Sequence, residues 1–316
     1  MTRYLLRRIL QAVFVLWAAF TVSFVILYLL PGDAVSAKLG GGEAGLSVTP
    51  EQLAAAKAEY GLDDPLPLQY GKRLLAALHG DFGRSIATGD DATNMVVSAL
   101  PPTLAVTGFA LVLAILFGGG IAFAGTLTRH RWLGNLLLAL PPLGISLPPF
   151  WVGLLLVQFF SFQLRLLPAL GSNGFESLML PAITLAIPTG AIIGQVLAKS
   201  LRTQLAEPYA EIALAKGASR SRVHFGHLLR NAAVPTLTIA GVVAGNLIAG
   251  SVITETVFSR DGLGRVTSSA VTAQDIPVVQ AVIVLAALVF VVINLLVDLV
   301  YPVLDPRIRH RETADA

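Results

Sequence analysis

Few residues in this chain are equipped for chemistry, and they are spaced poorly for it. The sequence has no cysteine, which excludes disulfides, Cys-ligated zinc, iron–sulfur clusters and thiol nucleophiles and leaves five histidines as the soft metal ligands. His224 and His227, three apart in a basic stretch, could hold a metal only if other ligands arrived from elsewhere, and a solvated face is the simpler reading. Gly71-Lys72 is the one Gly-Lys pair and lies in no G-x-x-x-x-G-K-[ST] motif, so the chain has no phosphate loop of its own. Neither H-E-x-x-H nor G-x-S-x-G occurs. Asp298, at the end of the last apolar run, is the one intramembrane ionisable residue the spans offer, and a proton relay through a membrane needs a second acid. The uncharged polar residues Gln158, Gln195, Asn246 and Asn294 either face a substrate path or make hydrogen bonds between helices. Transport fits this inventory better than catalysis, with no metal and no cofactor held by the chain itself.

The elements that must carry these residues follow from composition. Of 316 residues 55% are hydrophobic and 13% charged, with a mean hydropathy of +0.74. Soluble domains carry about 25% charged residues, so the chain belongs in a bilayer. The net charge of +3 comes from basic residues scattered between apolar runs, which is not the dense, aromatic-interleaved patch of a nucleic-acid binder. Ile9–Leu30 is 22 uncharged residues, longer than the roughly 7–15 residues of a signal-peptide core and long enough to cross about 30 Å of hydrocarbon. It reads as an uncleaved first span. Further uncharged runs at 101–128, 132–164, 177–198, 231–254 and 276–297 make six membrane helices.

Six spans put both termini on one side. Arg3, Arg7, Arg8, Arg129, Arg131, the six basic residues from Lys199 to Arg230, and Arg307, Arg309 and Arg311 lie on that side, fourteen of the 22 Lys and Arg. Positive charge marks the cytoplasm, so both termini are expected there. Two double prolines in "LPPLGISLPPF" (140–150) should kink or break the third run, a feature read here as packing. The organisation expected is a first segment and span over 1–30, an extracytoplasmic lobe over 31–100, a core over 101–305 and a cytoplasmic tail over 306–316. Within the lobe, Thr49 ahead of Pro50 suits the start of a helix over Pro50–Tyr60, and the glycine-rich "LGGGEAGLS" before it resists ordering.

The connection between the fourth and fifth runs, residues 199–231, is far longer than a link requires. Pro208 suits a first helical turn, Glu207 and Glu211 favour the positive end of the helix dipole, and Gly217 suits a left-handed stop. Ser219 can cap a second helix running to Arg230. Ala210, Ala213, Leu214 and Gly217 repeat at i, i+3, i+4, i+7, a narrow face of mostly small side chains that would let a partner approach closely. Phe225, Leu228, Leu229 and Ala232 repeat likewise and would bury the second helix against the spans.

The stretch "YAEIALAKGASRSRVHFGHLLRNAAVP" (209–235) resembles the cytoplasmic coupling loop, the EAA motif, of ATP-binding-cassette importer permeases. Tyr209, Ala213, Ala215, Lys216, Gly217, Arg230, Asn231, Ala232 and Pro235 match the version found in the dipeptide, oligopeptide and nickel family. Ile212 departs from the general Glu-Ala-Ala. "LLPGD" (29–33), "YGLDDPLPLQY" (60–70), "GDFGRS" (80–85), "ETVFSRDGLGR" (255–265) and "NLLVDLVYPVLDPRIR" (294–309) extend the resemblance over nearly the whole chain. It implies an all-α type I importer transmembrane domain in a bacterial inner membrane. Coupling to the ATPase is expected at Tyr209, Ala210, Ala213, Leu214, Lys216 and Gly217. The implied partners are a second homologous permease, two ATPase subunits that bind ATP and Mg, membrane lipid, and an extracytoplasmic solute-binding protein received by the first loop and by 255–275. Dipeptides or short oligopeptides are the expected substrates, nickel chelates or glutathione the alternatives, and a proton-coupled carrier the distant rival.

Overall fold

The computed structural model of the chain describes residues 2–29 and 64–304, with side chains for 6–28 and 64–297. The helix expected over Pro50–Tyr60, the glycine-rich stretch and the tail lie outside the described residues. Asp298 is described as helical backbone only.

Among the described residues the chain is helical, and its extended pairing is a single bridge between Arg84 and Asp91. The helices are α1 (Thr2–Leu29), α2 (Leu66–Leu78), α3 (Ala92–Leu127), α4 (Arg131–Ser146), α5 (Pro149–Leu156), α6 (Glu176–Leu205), α7 (Pro208–Ala215), α8 (Arg220–Val223), α9 (Leu229–Val257), α10 (Leu263–Thr272) and α11 (Ile276–Leu304). α5 runs on into a π-helical stretch, Val157–Gln163, and a second one, His224–Leu228, joins α8 to α9. Five helical segments among the described residues are long and apolar enough to cross a membrane, and six if the bent pair α4–α5 counts as one span, which agrees with the six runs read from sequence.

Proline explains where the boundaries differ. The second span begins at Ala92, because Pro101 and Pro102 stay inside α3; the backbone groups that proline frees in membrane helices are re-satisfied by neighbours. The third run is a bend of 103° between α4 and α5. Of its two double prolines, Pro141-Pro142 stays within α4, while Pro148-Pro149 makes the break. Leu147 (ψ 128°) and Pro148 (ψ 127°) each precede a proline and are forced extended. Residues 255–275 are not an open loop either: Glu255 belongs to α9 and is buried, and 263–272 form α10.

The chain divides into two compact units, one holding the residues up to Thr103 with Asp261–Val291, the other Leu104–Arg260 with the residues from Val292. In the first, Tyr70 of α2 packs edge-on against Phe20 and Phe24 of α1 and shares a 2.9 Å hydrogen bond with Thr21. In the second, α6 is the central helix, with fifteen buried residues from Ser177 to Leu201. Ala114 and Gly118 of α3 meet Gly190 and Gly194 of α6, small residues four apart on both helices. A methyl group at Gly118 would lie 2.1 Å from the Gly190 carbonyl oxygen, and one at Gly194 would lie 2.8 Å from that of Gly118. Backbones this close leave no room for any side chain.

Gly118→Ala must therefore push α3 from α6 and is expected to cost about 2 kcal/mol, in the range of overpacked cores. Gly120→Ala, where a methyl meets nothing within 4 Å, should be neutral or stabilising. Thermal unfolding of the two variants in detergent, followed by size-exclusion chromatography, checks the contrast; equal midpoints would refute the tight crossing.

Candidate functional site

The 206–235 connection folds as its residue types dictate. Glu207 is extended, Pro208 opens α7 at its first position and Glu211 stands in the first turn. The helix stops at Gly217, whose φ of +89° is a left-handed conformation that favours glycine. The Ala218 N–H donates to the Ala213 carbonyl at 3.1 Å and the Gly217 N–H to that of Leu214 at 2.9 Å, the paired bonds of a Schellman stop. The Ser219 hydroxyl then accepts from the Arg222 N–H at 3.3 Å, capping α8. The second helix does not end at Arg230. It passes through the π-helical turn and α9 to Val257, because no glycine or left-handed residue halts it and Pro235 is absorbed within it.

Packing divides the small-residue face: Ala210 and Ala213 turn inward, while Leu214 and Gly217 stay exposed. Ala210 is fully buried among Leu197, Ala198 and Leu201 of α6, Val223 of α8 and Ala232 of α9, with Ala213 and Tyr209 packed at the edge of the same cluster. The Tyr209 hydroxyl donates to Gln204 Oε1 at 2.6 Å and accepts from Asn231 Nδ2 at 3.3 Å, which joins the end of α6, α7 and the base of α9. Small side chains at 210 and 213 let α7 sit close on α6. The exposed face is instead Pro208, Glu211, Ile212, Leu214, Ala215 and Lys216, with Gly217 at its end. Ile212 is 54% exposed, so the departure from Glu-Ala-Ala lies on the surface.

The π-helical turn inserts one extra residue in the buried row, which runs Val223, Leu228, Ala232. Leu228 and Ala232 are buried as their spacing predicts and Leu229 half-buried. Phe225 is more than half exposed but stacks on Phe123 at 4.7 Å. The turn separates the two histidines: His224 is buried with Nδ1 2.9 Å from the Arg220 carbonyl, while His227 is exposed.

The four polar span residues are distributed differently. Gln195 lines a cavity of about 270 Å³ with Lys199, Arg202, Thr203, Leu138 and Pro141. Gln158 and Asn246 are exposed on separate helices, and Asn294 is half-buried.

Two buried polar clusters escaped the sequence reading. In the first unit Asp275, directly before α11, accepts the Ser85 hydroxyl and the N–H groups of Ile86 (3.1 Å) and Ala87 (3.2 Å). In the second, Arg260 donates to the carbonyls of Gly171 (3.1 Å) and Ser177 (2.8 Å) and to the Ser177 hydroxyl (3.0 Å). For Arg260 the signal available was a charged residue near a helix end inside "ETVFSRDGLGR"; Asp275 lies outside the quoted motifs, and only its partner Ser85 falls in "GDFGRS".

Residues 114–310 match the family described as the binding-protein-dependent transport system inner membrane component, and residues 1–107 match the N-terminal family of such membrane components. The chain belongs to this family of permeases. Over 98% of its length it is 36% identical to a protein from Salmonella paratyphi A named "Glutathione transport system permease protein GsiC", and 34% identical to the protein of the same name from Escherichia coli K12; both relatives are matched over their entire length. Among solved structures, inward-facing forms of the MetNI methionine ABC transporter align with TM-scores of 0.55 and 0.58 at 18% and 17% identity, over 67% of this chain and 96% of theirs. The permease thus has the type I importer transmembrane fold and is a multi-pass inner-membrane protein.

If Tyr209 clamps three elements of the permease, Tyr209→Phe should lower stability by about 1 kcal/mol, the usual net worth of a hydrogen bond. Ala210→Leu should cost more, about 1–3 kcal/mol, because its pocket is full. Denaturation midpoints of the purified permease measure both, and an Ala210→Leu protein as stable as the parent would contradict the inward orientation of α7.

Proposed function

We propose that the permease forms one half of the membrane path of an importer for short peptides of dipeptide to glutathione size, the other half being a second homologous permease. The observation that carries the substrate class is the end-to-end similarity to permeases named for glutathione transport. ATP and Mg are bound by two separate ATPase subunits, in keeping with the missing phosphate loop, and the chain itself performs no hydrolysis. An extracytoplasmic solute-binding protein delivers the substrate. Both termini and α7 face the cytoplasm, as the basic residues favour, and Gln158, Gln195, Asn246 and Asn294 contribute polar groups to the path.

Coupling on this reading uses the exposed side of α7. Ile212 and Leu214 enter a groove on the ATPase, and Lys216 and Gly217 close the helix there. Tyr209, Ala210 and Ala213 act from behind by fixing α7 to the ends of α6 and α9. Closure of the ATPases therefore moves α7, and with it the two spans to which it is anchored.

Ile212→Glu leaves the internal contacts alone and should give normal amounts of permease, weakened recovery of the ATPases on affinity purification and lost uptake. Gly217→Trp, where a non-glycine residue costs on the order of 1 kcal/mol in the left-handed region, should do the same. Parental recovery and transport in both variants would remove α7 as the docking helix.

The substrate assignment is checked by uptake into proteoliposomes containing the full importer. Labelled glutathione or dipeptide should accumulate with ATP and binding protein, should compete with one another, and should persist when the proton gradient is collapsed. Accumulation of a nickel chelate alone, or loss with the gradient at constant ATP, would reject the reading.

A further inference from the structure

Helix α2 is amphipathic in an unusual sense: both of its sides are largely apolar. Tyr70, Leu74 and Ala77 turn toward α1, Leu68 and Leu75 point away, and Leu78 stands at the rim of a cavity shared with α1; Leu68, Leu75 and Leu78 are 48%, 62% and 73% exposed. The contacts along α1 show how the two helices align. Arg73 lies over the Tyr28 ring at 5.8 Å and Tyr70 meets Thr21 and Phe24, whereas Ala77 and Leu78 share a cavity with Val13, Leu16 and Trp17. α2 thus packs beside the Phe20–Tyr28 end of the apolar span Leu6–Tyr28, with its last turn over a cavity that Val13, Leu16 and Trp17 also line, and next to that cavity α1 exposes Trp17 and Phe14. The exposed leucines of α2 continue that surface.

Polar groups on α2 obey the same direction. Lys72 sits in the leucine stripe between Leu68 and Leu75, yet its ammonium reaches back toward the start of the helix and meets Asp64 at 2.6 Å. A lysine whose stem lies along apolar surface while its charge is drawn toward one end is the arrangement of a membrane interface. Beside it, a cavity of about 590 Å³ is lined by Val13, Trp17, Leu74, Leu78, Phe82 and Leu285, and among the described residues no charged side chain lines it.

We propose that α2 is an interfacial helix whose Leu68–Leu75–Leu78 face lies among lipid chains of the leaflet at the Tyr28 end of α1, with a lipid acyl chain filling the adjoining cavity. The occupant is lipid because the exposed leucines extend the lipid-facing side of a span and because charge is displaced from that face toward Asp64. Interfacial helices bury such faces about 5–10 Å past the headgroups. Helix α2 is then a membrane-attached element, and that leaflet is the outer one on the orientation given under Proposed function.

The absence of cysteine makes the test clean. Single cysteines replacing Leu75, Leu78 and the exposed Asp90 are labelled with a fluorophore in membrane vesicles carrying the assembled importer, and quenching by chain-brominated lipid is compared with quenching by aqueous iodide. Labels at 75 and 78 should be quenched several-fold more by the brominated lipid than by iodide, and the label at 90 the reverse. Iodide quenching at 75 and 78 like that at 90, or protection from both quenchers, would overturn the proposal, the second outcome assigning the face to a protein partner. An impermeant thiol reagent on intact cells reads the orientation separately: labelling of Asp90→Cys only after lysis, with lipid quenching intact at 78, would reject the cytoplasmic termini and keep the interfacial helix.

Discussion

The backbone contact between α3 and α6 is the constraint on which the core of the permease depends. Inside a bilayer, lipid chains are as apolar as leucine, so burial against another helix gains little from the hydrophobic effect, and close packing must hold the helices together. Ala114, Gly118, Gly190 and Gly194 bring two backbones within distances that a methyl group would violate. Around this crossing the larger residues fill in: Val106, Ala110, Ala182, Leu185 and Leu247 form one buried cluster, and Ala114, Ala186, Ile193 and Val243 the next. Moving α6 would displace α3 and α9 together.

The same helix carries α7. Leu197, Ala198 and Leu201, one turn and two turns beyond Gly194, form the floor on which Ala210 rests. α7 is short, and a helix of that length is marginal by itself in water. Its order comes from the buried alanine, from the Tyr209 bridge to Gln204 and Asn231, and from the Gly217 stop, satisfied by two backbone bonds. One side of α7 is thus committed to the permease and the other left exposed.

Buried charge is handled by clustered hydrogen bonds. Burying an ionised group without partners costs several kcal/mol. Asp275 accordingly accepts three hydrogen bonds, and Arg260 donates to two carbonyls and a hydroxyl. Each cluster fastens a turn at a helix end to a distant part of its own unit, so a loop in the sequence becomes a fixed element in the fold.

The sequence by itself determined much of this. Run length and charge set the number of spans, because the thickness of a bilayer admits few alternatives. Pro208, Gly217 and Ser219 set the start and stop of α7 and the start of α8, because those choices depend on local backbone preference and on hydrogen bonds a few residues away. The motifs identified the family. Tertiary structure alone decided which side of each helix is used. The spacing of Ala210, Ala213, Leu214 and Gly217 defines a face without saying whether α6 or a partner covers it, and α6 does so for the alanines. It decided that Pro148-Pro149 breaks the third span while Pro141-Pro142 does not, and that a π-helical turn rotates the buried row at His224. It also decided that Asp275 and Arg260 are interior, since their partners lie as far as 190 residues away in sequence. Local rules reach about one helical turn; the choice among equivalent faces, and the partners of a buried charge, belong to the packing of distant segments.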